Sequence, residues 1–222
     1  MANKATNQGK IIVALAPQEP SLESTYAWRA SGTHVRLNMA VDQRGEFRDQ
    51  DGLSTGFSSP LDRRLLKIIR SDADAIVVGA STIRAEGWNL PQQGTLFVLS
   101  RSGDLPWATC SDPTRVHLIV EGLTAQEIVD KLVQDGHRKI LVEGGGIVAT
   151  MFARENMFDD VCLTVRNRLV PPTKDDLSPA LEGLLGAAAK RFMLTSAIAQ
   201  PDAQSIFALW RRALGPARLA TD

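Results

Sequence analysis

Four short apolar runs, each bounded by turn-forming or polar residues, limit what this chain can become: DAIVVGA (74–80), TLFVLS (95–100), RVHLIV (115–120) and KILVE (139–143). Such a run lacks the apolar–polar alternation of a half-exposed strand, so it reads as a strand covered on both faces, as in a parallel sheet between helix layers. THVRLNMAV (33–41) does alternate, with Val35, Leu37, Met39 and Val41 on one side, and reads as a half-buried strand. Helix signals fall between the strands. Ser59-Pro60 is a cap followed by a first-turn proline, and Leu61, Leu65, Ile68 and Ile69 share a face behind it. Thr124 and Glu127 form a capping box ahead of the stripe Ile128, Val129, Leu132 and Val133, which Gly136 closes. DDVCLTVR (159–166) continues the alternation, and RFMLTSAIAQ with SIFALWRRA reads as a closing strand pair around Pro201-Asp202. The expectation is an α/β fold with a mostly parallel central sheet and an antiparallel C-terminal pair.

Composition narrows the function. Lys plus Arg and Asp plus Glu each number 25, so no basic excess invites nucleic acid or an anionic membrane. No apolar run approaches a membrane span. Residues 10–17, KIIVALAP, are shorter than a secretory h-region and read as an edge strand or packed arm. Cys110 and Cys162 are a distant pair, read as reduced thiols of a cytoplasmic protein. His34, His117 and His137 have no metal-ligand spacing, so no metal is expected. Residues 1–30 read as a peripheral segment and 31–222 as one domain. Between the strand 33–41 and the first helix lies DQRGEFRDQDGLSTGFSSP, long enough to be a functional loop.

In parallel sheets ligands bind at the carboxyl ends of the strands. There the chain carries Glu143 followed by Gly144, Gly145 and Gly146 and then a helix. A glycine turn at a helix N-terminus lets a phosphate approach backbone N–H groups at the positive end of the helix dipole. Gly79 and Ala80 allow a similar approach, with Ser81 and Thr82 as cap hydroxyls. Arg84 either reaches a phosphate or sits solvated on a turn. Ser100, Arg101 and Ser102 follow another buried strand and suit a phosphate monoester, or form a polar turn. The Rossmann fingerprint is not met: Ile147, Val148 and Ala149 follow the glycines, without its third glycine or a later ribose-binding acid. No G-x-S-x-G or cysteine-nucleophile signature is present, which sets hydrolases aside.

DAIVVGASTIRAEG, FVLSRSG, TAQEIVDKLVQDGHRKILVEGGG and MFDDVCLTVRNRLVPP, in that order, resemble the reductase domain of riboflavin biosynthesis, the pyrimidine reductase family of dihydrofolate-reductase-like three-layer fold. The resemblance runs from about Val35 to Arg168 and is similar to a stand-alone branch without a deaminase domain. It implies an NADPH-dependent reductase that converts a ribosylamino-pyrimidine phosphate to its ribitylamino form and assembles as a homodimer. It also implies that Gly79, Ala80, Thr82, Arg84, Ser100, Arg101, Gly144, Gly145 and Gly146 hold NADPH, with Arg101 and Ser100 on the 2′-phosphate. Glu143 would lie beside the nicotinamide and the substrate ribose. Asn38, Ser58 and Ser59 would contact substrate beneath the loop from Asp42 to Ser59.

The chain departs from that pattern in two places. Arg44 stands where the family has an acid, with a carboxylate at Asp42 instead, and Glu86-Gly87-Trp88 replaces an Asp-Asp-Pro triplet. Arg44 then becomes a candidate for substrate phosphate, Trp88 a candidate for stacking on a planar ring, and Glu86 or Asp42 the candidate proton donor. Three readings remain open on these residues: the pyrimidine reductase, the same fold acting on dihydrofolate or a dihydropterin, and a nucleotide-binding protein without turnover.

Overall fold

The computed structural model describes residues 21–28, 31–47, 60–120, 122–166, 173–200 and 205–213. Eight strands form one sheet: β1 (His34–Asp42), β2 (Ala75–Gly79), β3 (Thr95–Leu99), β4 (Val116–Ile119), β5 (Lys139–Glu143), β6 (Asp160–Arg166), β7 (Phe192–Gln200) and β8 (Ser205–Arg212). Their spatial order is β4-β3-β2-β5-β1-β6-β8-β7. The first six are parallel, and β8 runs antiparallel to both β6 and β7. The sequence placed each of these eight strands within a residue or two, and the run 10–17 lies outside the described residues.

Among the described residues six α-helices accompany the sheet: α1 (Leu22–Thr25), α2 (Pro60–Ser71), α3 (Ala80–Glu86), α4 (Ala125–Gln134), α5 (Gly146–Arg154) and α6 (Leu177–Leu185). The chain steps outward from β1 through β2 and β3 to β4, then returns to insert β5 beside β1. Parallel crossovers are right-handed, so reversing the direction of travel moves the helices to the other face. One core accordingly gathers Leu65 and Ile69 of α2 and Ala80 and Ile83 of α3 beneath Ile76, Val78 and Leu141. The other gathers α4, α5 and α6 beneath Val35, Leu37, Val77 and Val142. Three layers result, with the sheet in the middle.

Two features were not read from the sequence. Helix α6 carries Pro179 in its first turn, where a missing N–H costs nothing, and Gly183 in its body. Gly183 is required by packing, because a Cβ there would overlap the carbonyl oxygen of Arg44. The segment 21–28, expected to be peripheral, belongs to the core: Tyr26 and Trp28 are buried with Ile69 and Leu141. They cover a buried ionic group. Arg36 donates to the carbonyl oxygens of Tyr26 (2.7 Å) and Ala27 (3.2 Å) and to Asp160 (2.8 Å), and it lies 4.3 Å from the centre of the Trp28 ring. Among the described residues no helix is long and apolar enough to cross a membrane.

Candidate active site

The adjacent strands β2 and β5 end in turns that pack against each other. Gly144 and Gly145 take left-handed backbone, at φ 64° and 70°. A Cβ on Gly144 would come within 2.9 Å of the Thr82 hydroxyl, and one on Gly79 would lie 3.2 Å from Val148 and 4.0 Å from the Gly145 Cα. Only glycine allows both the dihedral and the approach. Helix α5 starts immediately afterwards with Gly145 as its N-cap and no side-chain cap. Gly146 has a different explanation: a Cβ there would overlap the Phe47 ring, which folds back from the loop after β1.

A cleft of about 510 Å³ opens at this carboxyl edge. Its walls are Asn38, Met39 and Ala40 of β1, the turn Glu143–Gly145, Ser81 to Ile83 and Ala85 to Gly87 around α3, and one side of α2. That helix has two working sides. Leu65 and Ile69 are buried in the core, whereas Asp62, Leu66 and Arg70, spaced at four residues, face the cleft together with Arg63.

Arg70 grips Glu143 with both arms of its guanidinium. Nε donates to Oε1 at 2.8 Å and Nη2 donates to Oε2, while Nη1 reaches the carbonyl of Asn89 at 3.1 Å. Burial alone would lower the Arg70 pKa, but the hydrogen bonds and charge of Glu143 hold it above the ordinary arginine value. At the other end of the cleft, the Thr164 hydroxyl of β6 donates to Asp62 at 2.6 Å. Burial raises the Asp62 carboxyl, and the Thr164 hydrogen bond with the charges of Arg166 and Arg63 offsets only part of that rise.

Of the residues expected from sequence, Asn38, Thr82, Glu86, Glu143, Gly144 and Gly145 line this cleft, with Gly79 packed behind the glycine turn. Gly146 lies in a neighbouring hollow with Phe47 and Ile147. Ser81 and Thr82 are not caps, because α3 begins at Ala80 with Gly79 as N-cap. Arg84 donates to the Asp104 carbonyl (2.8 Å) and, at 3.4 Å, to Ser102 Oγ, which ties α3 to the turn carrying Ser100 and the exposed Arg101. Ser100 Oγ accepts from Gly103 N–H at 3.1 Å. Asp42 is turned to its own loop, accepting from Arg44 N–H (2.8 Å) and Glu46 N–H (2.9 Å). Arg44 is exposed and does not line the cleft. Trp88 stands outside it as well, donating to the Pro106 carbonyl at 2.9 Å and packing 5.1 Å from Trp107. Ser58 and Ser59 lie outside the described residues.

Sequence reading missed Asp62, Arg63 and Arg70. The signal was present as charged residues at positions 62, 63 and 70 on the side of α2 away from Leu65 and Ile69, but it carries meaning only once that apolar stripe has been assigned to the core.

A parallel sheet between helix layers, an antiparallel strand pair at one edge and a cleft at the strand ends define a dihydrofolate-reductase-like α/β protein. Dihydrofolate reductase from Enterococcus faecalis, in complex with NADP(H), superposes with a TM-score of 0.53 at 15% identity, over 82% of this chain and 97% of that one. The family model of the RibD C-terminal domain matches residues 33–170, and the chain belongs to that family. A pyrimidine reductase-like protein from Corynebacterium diphtheriae aligns with TM-score 0.60 and 22% identity over 82% of this chain and 93% of its own. A diaminohydroxyphosphoribosylaminopyrimidine deaminase/5-amino-6-(5-phosphoribosylamino)uracil reductase from Thermotoga maritima aligns with TM-score 0.59 and 16% identity over 82% of this chain, which spans 57% of that longer one. Comparison with curated proteins gave no match.

Proposed function

We propose that the chain is an NADPH-dependent reductase of a ribosylamino-pyrimidine phosphate, forming the ribitylamino product. The observation that carries this is the joined glycine turn of β2 and β5: Gly144 and Gly145, at positive φ, present bare backbone to a cleft at the head of a helix without a side-chain cap. These residues fit a dinucleotide pyrophosphate, with Thr82 beside it. Arg101 and Ser100, on the next strand end, would hold the 2′-phosphate.

NADPH, when bound, supplies the hydride. The protein's own part is placement and proton supply. Asn38 and the Arg70–Glu143 pair fix polar groups along the wall against which a ribose chain would lie. Arg63, an exposed guanidinium lining the cleft, suits the substrate phosphate better than Arg44 does. The reading also carries a homodimer assembled through the sheet, which sedimentation at micromolar concentration checks.

The test pairs NADPH and NADH titrations with turnover. The expected result is tighter NADPH binding, a preference abolished by Arg101→Ala, and oxidation of NADPH by the ribosylamino-pyrimidine phosphate. Turnover of dihydrofolate alone would reassign the substrate, and no binding of either nucleotide would end the enzyme reading.

A further inference from the structure

Among the described residues, three carboxyl groups line the cleft: Asp62, Glu86 and Glu143. A reduction that delivers hydride to carbon needs a proton for the heteroatom, so the question is which of the three can hold one near neutral pH. Glu143 is clamped by the Arg70 fork, an arrangement that requires the carboxylate. Glu86 is exposed at the end of α3. Asp62 is recessed beneath the first turn of α2, where Thr164 holds it from the floor of the sheet.

The floor beneath Asp62 is shaped for access. Thr164 pairs in register with Ala40 of β1, and Ala40 lines the cleft two residues beyond Asn38, on the same side of the strand. Ala40 puts only a methyl group on this part of the cleft wall, which Asn38 and Asp62 also line. We propose that Asp62 is the proton donor of this cleft and that Thr164 positions it.

The assignment rests on the reductase reading above. Two-electron reduction at the carbon end of a ring-opened ribosylamine C=N sends the π pair to nitrogen, and the Asp62 carboxyl gives that nitrogen its proton. A C–H and an N–H bond form, the C=N becomes a single bond, and the dihydronicotinamide is the species oxidised. Asp62 is left as a carboxylate held by the Thr164 hydroxyl and is reprotonated by water from the cleft mouth. The charged and titratable groups around it are Arg63 on its own helix, Arg166 further along β6, the buried phenol of Tyr26, and, elsewhere in the cleft, Glu86 and the Arg70–Glu143 pair. Burial outweighs the nearby cations, so the acid form persists to higher pH than in a free aspartate.

Two measurements test this. In the ligand-free protein, carbon NMR of the Asp62 carboxyl, assigned with Asp62→Asn, should titrate above the ~3.9 of a free aspartate; a midpoint at or below that value overturns the proposal. With NADPH and substrate, Asp62→Asn should lower kcat by about 10²-fold or more and remove its alkaline limb. The NADPH Kd should stay within about twofold, and Asp62→Glu should recover part of the rate. Thr164→Val removes a bond that favours the carboxylate, so the alkaline limb should move to higher pH. A limb lost in Glu86→Gln and retained in Asp62→Asn overturns the assignment while leaving the reductase intact. Failure of the wild-type chain to bind NADPH overturns the reductase reading and this proposal with it.

Discussion

Replacing Arg70 with Met isolates what the Arg70–Glu143 pair contributes. The two side chains retain only 13% and 10% of their exposure, so neither is hydrated as a surface ion would be. Met fills the methylene volume of arginine but returns no donor to the two Glu143 oxygens or to the Asn89 carbonyl. Removing one partner of a buried ion pair costs about 3–5 kcal/mol. Because cleft water can reach Glu143, the lower end, about 3 kcal/mol, is the expected loss, against a total stability of about 5–15 kcal/mol. The double variant Arg70→Met, Glu143→Gln removes the stranded charge and should recover about 1.5–3 kcal/mol of that loss. Urea denaturation of wild type, both single variants and the double at pH 7 closes the cycle. Additivity within about 0.5 kcal/mol would refute the argument, since it would mean that the two groups do not feel each other.

Other outcomes follow from the same contacts. Burial alone would raise the Asp160 pKa, but His34 and Arg36 carry it below the ordinary value. A depressed folded-state pKa stabilises above the unfolded-state value of about 4 and is lost as pH falls through the folded value. Asp160→Asn should therefore cost about 3–5 kcal/mol at pH 7 and progressively less as pH falls below about 4, read from urea midpoints across the acid range. Gly144→Ala forces a Cβ toward the Thr82 hydroxyl at a left-handed φ, and should lose about 1–3 kcal/mol together with NADPH affinity, read by urea and titration. The Cys162 thiol is buried and pushed up to about 12, while Cys110 is partly exposed. A thiol reagent at pH 8 should therefore label Cys110 in the native protein and reach Cys162 only on unfolding.

What the sequence made legible, and what it did not, divides along a physical line. Strands such as 74–80 and 139–143 announce themselves because burial on both faces demands an unbroken apolar run. The turn Gly144–Gly145 was legible because its dihedrals exclude other residues, though the partner that crowds it, Thr82, lies about sixty positions earlier. Helix α6 was opaque because Pro179 and Gly183 disturb a helical pattern, and the reason for Gly183 is the Arg44 backbone on another element. Tyr26 and Trp28 looked peripheral because their partners, Arg36 and Ile69, carry no local mark of being covered. Asp42 was visible as a carboxylate, but not as one committed to the N–H groups of Arg44 and Glu46.

That last commitment explains how the cleft can work with arginine at position 44. With Asp42 holding the loop backbone, Arg44 is carried outward and Gly45 is pressed against α6, where a Cβ would meet the Ala180 carbonyl at 2.5 Å and Leu184 N at 2.6 Å. The loop after β1 is thus fastened to the face of the sheet opposite α2, and it sends Phe47 rather than a carboxylate to the glycine turn. On the opposite wall, α2 brings Asp62 to the cleft. An acid on a helix whose Leu65 and Ile69 are locked in the core is held more rigidly than one on a loop. It also bonds to Thr164 of β6, and burial rather than a neighbouring carboxylate raises its pKa. On the Asp62 assignment, then, the proton donor belongs to the rigid scaffold and not to the loop. Substitutions in residues 42–47 should accordingly alter KM more than kcat, and those at Asp62 and Thr164 should do the reverse.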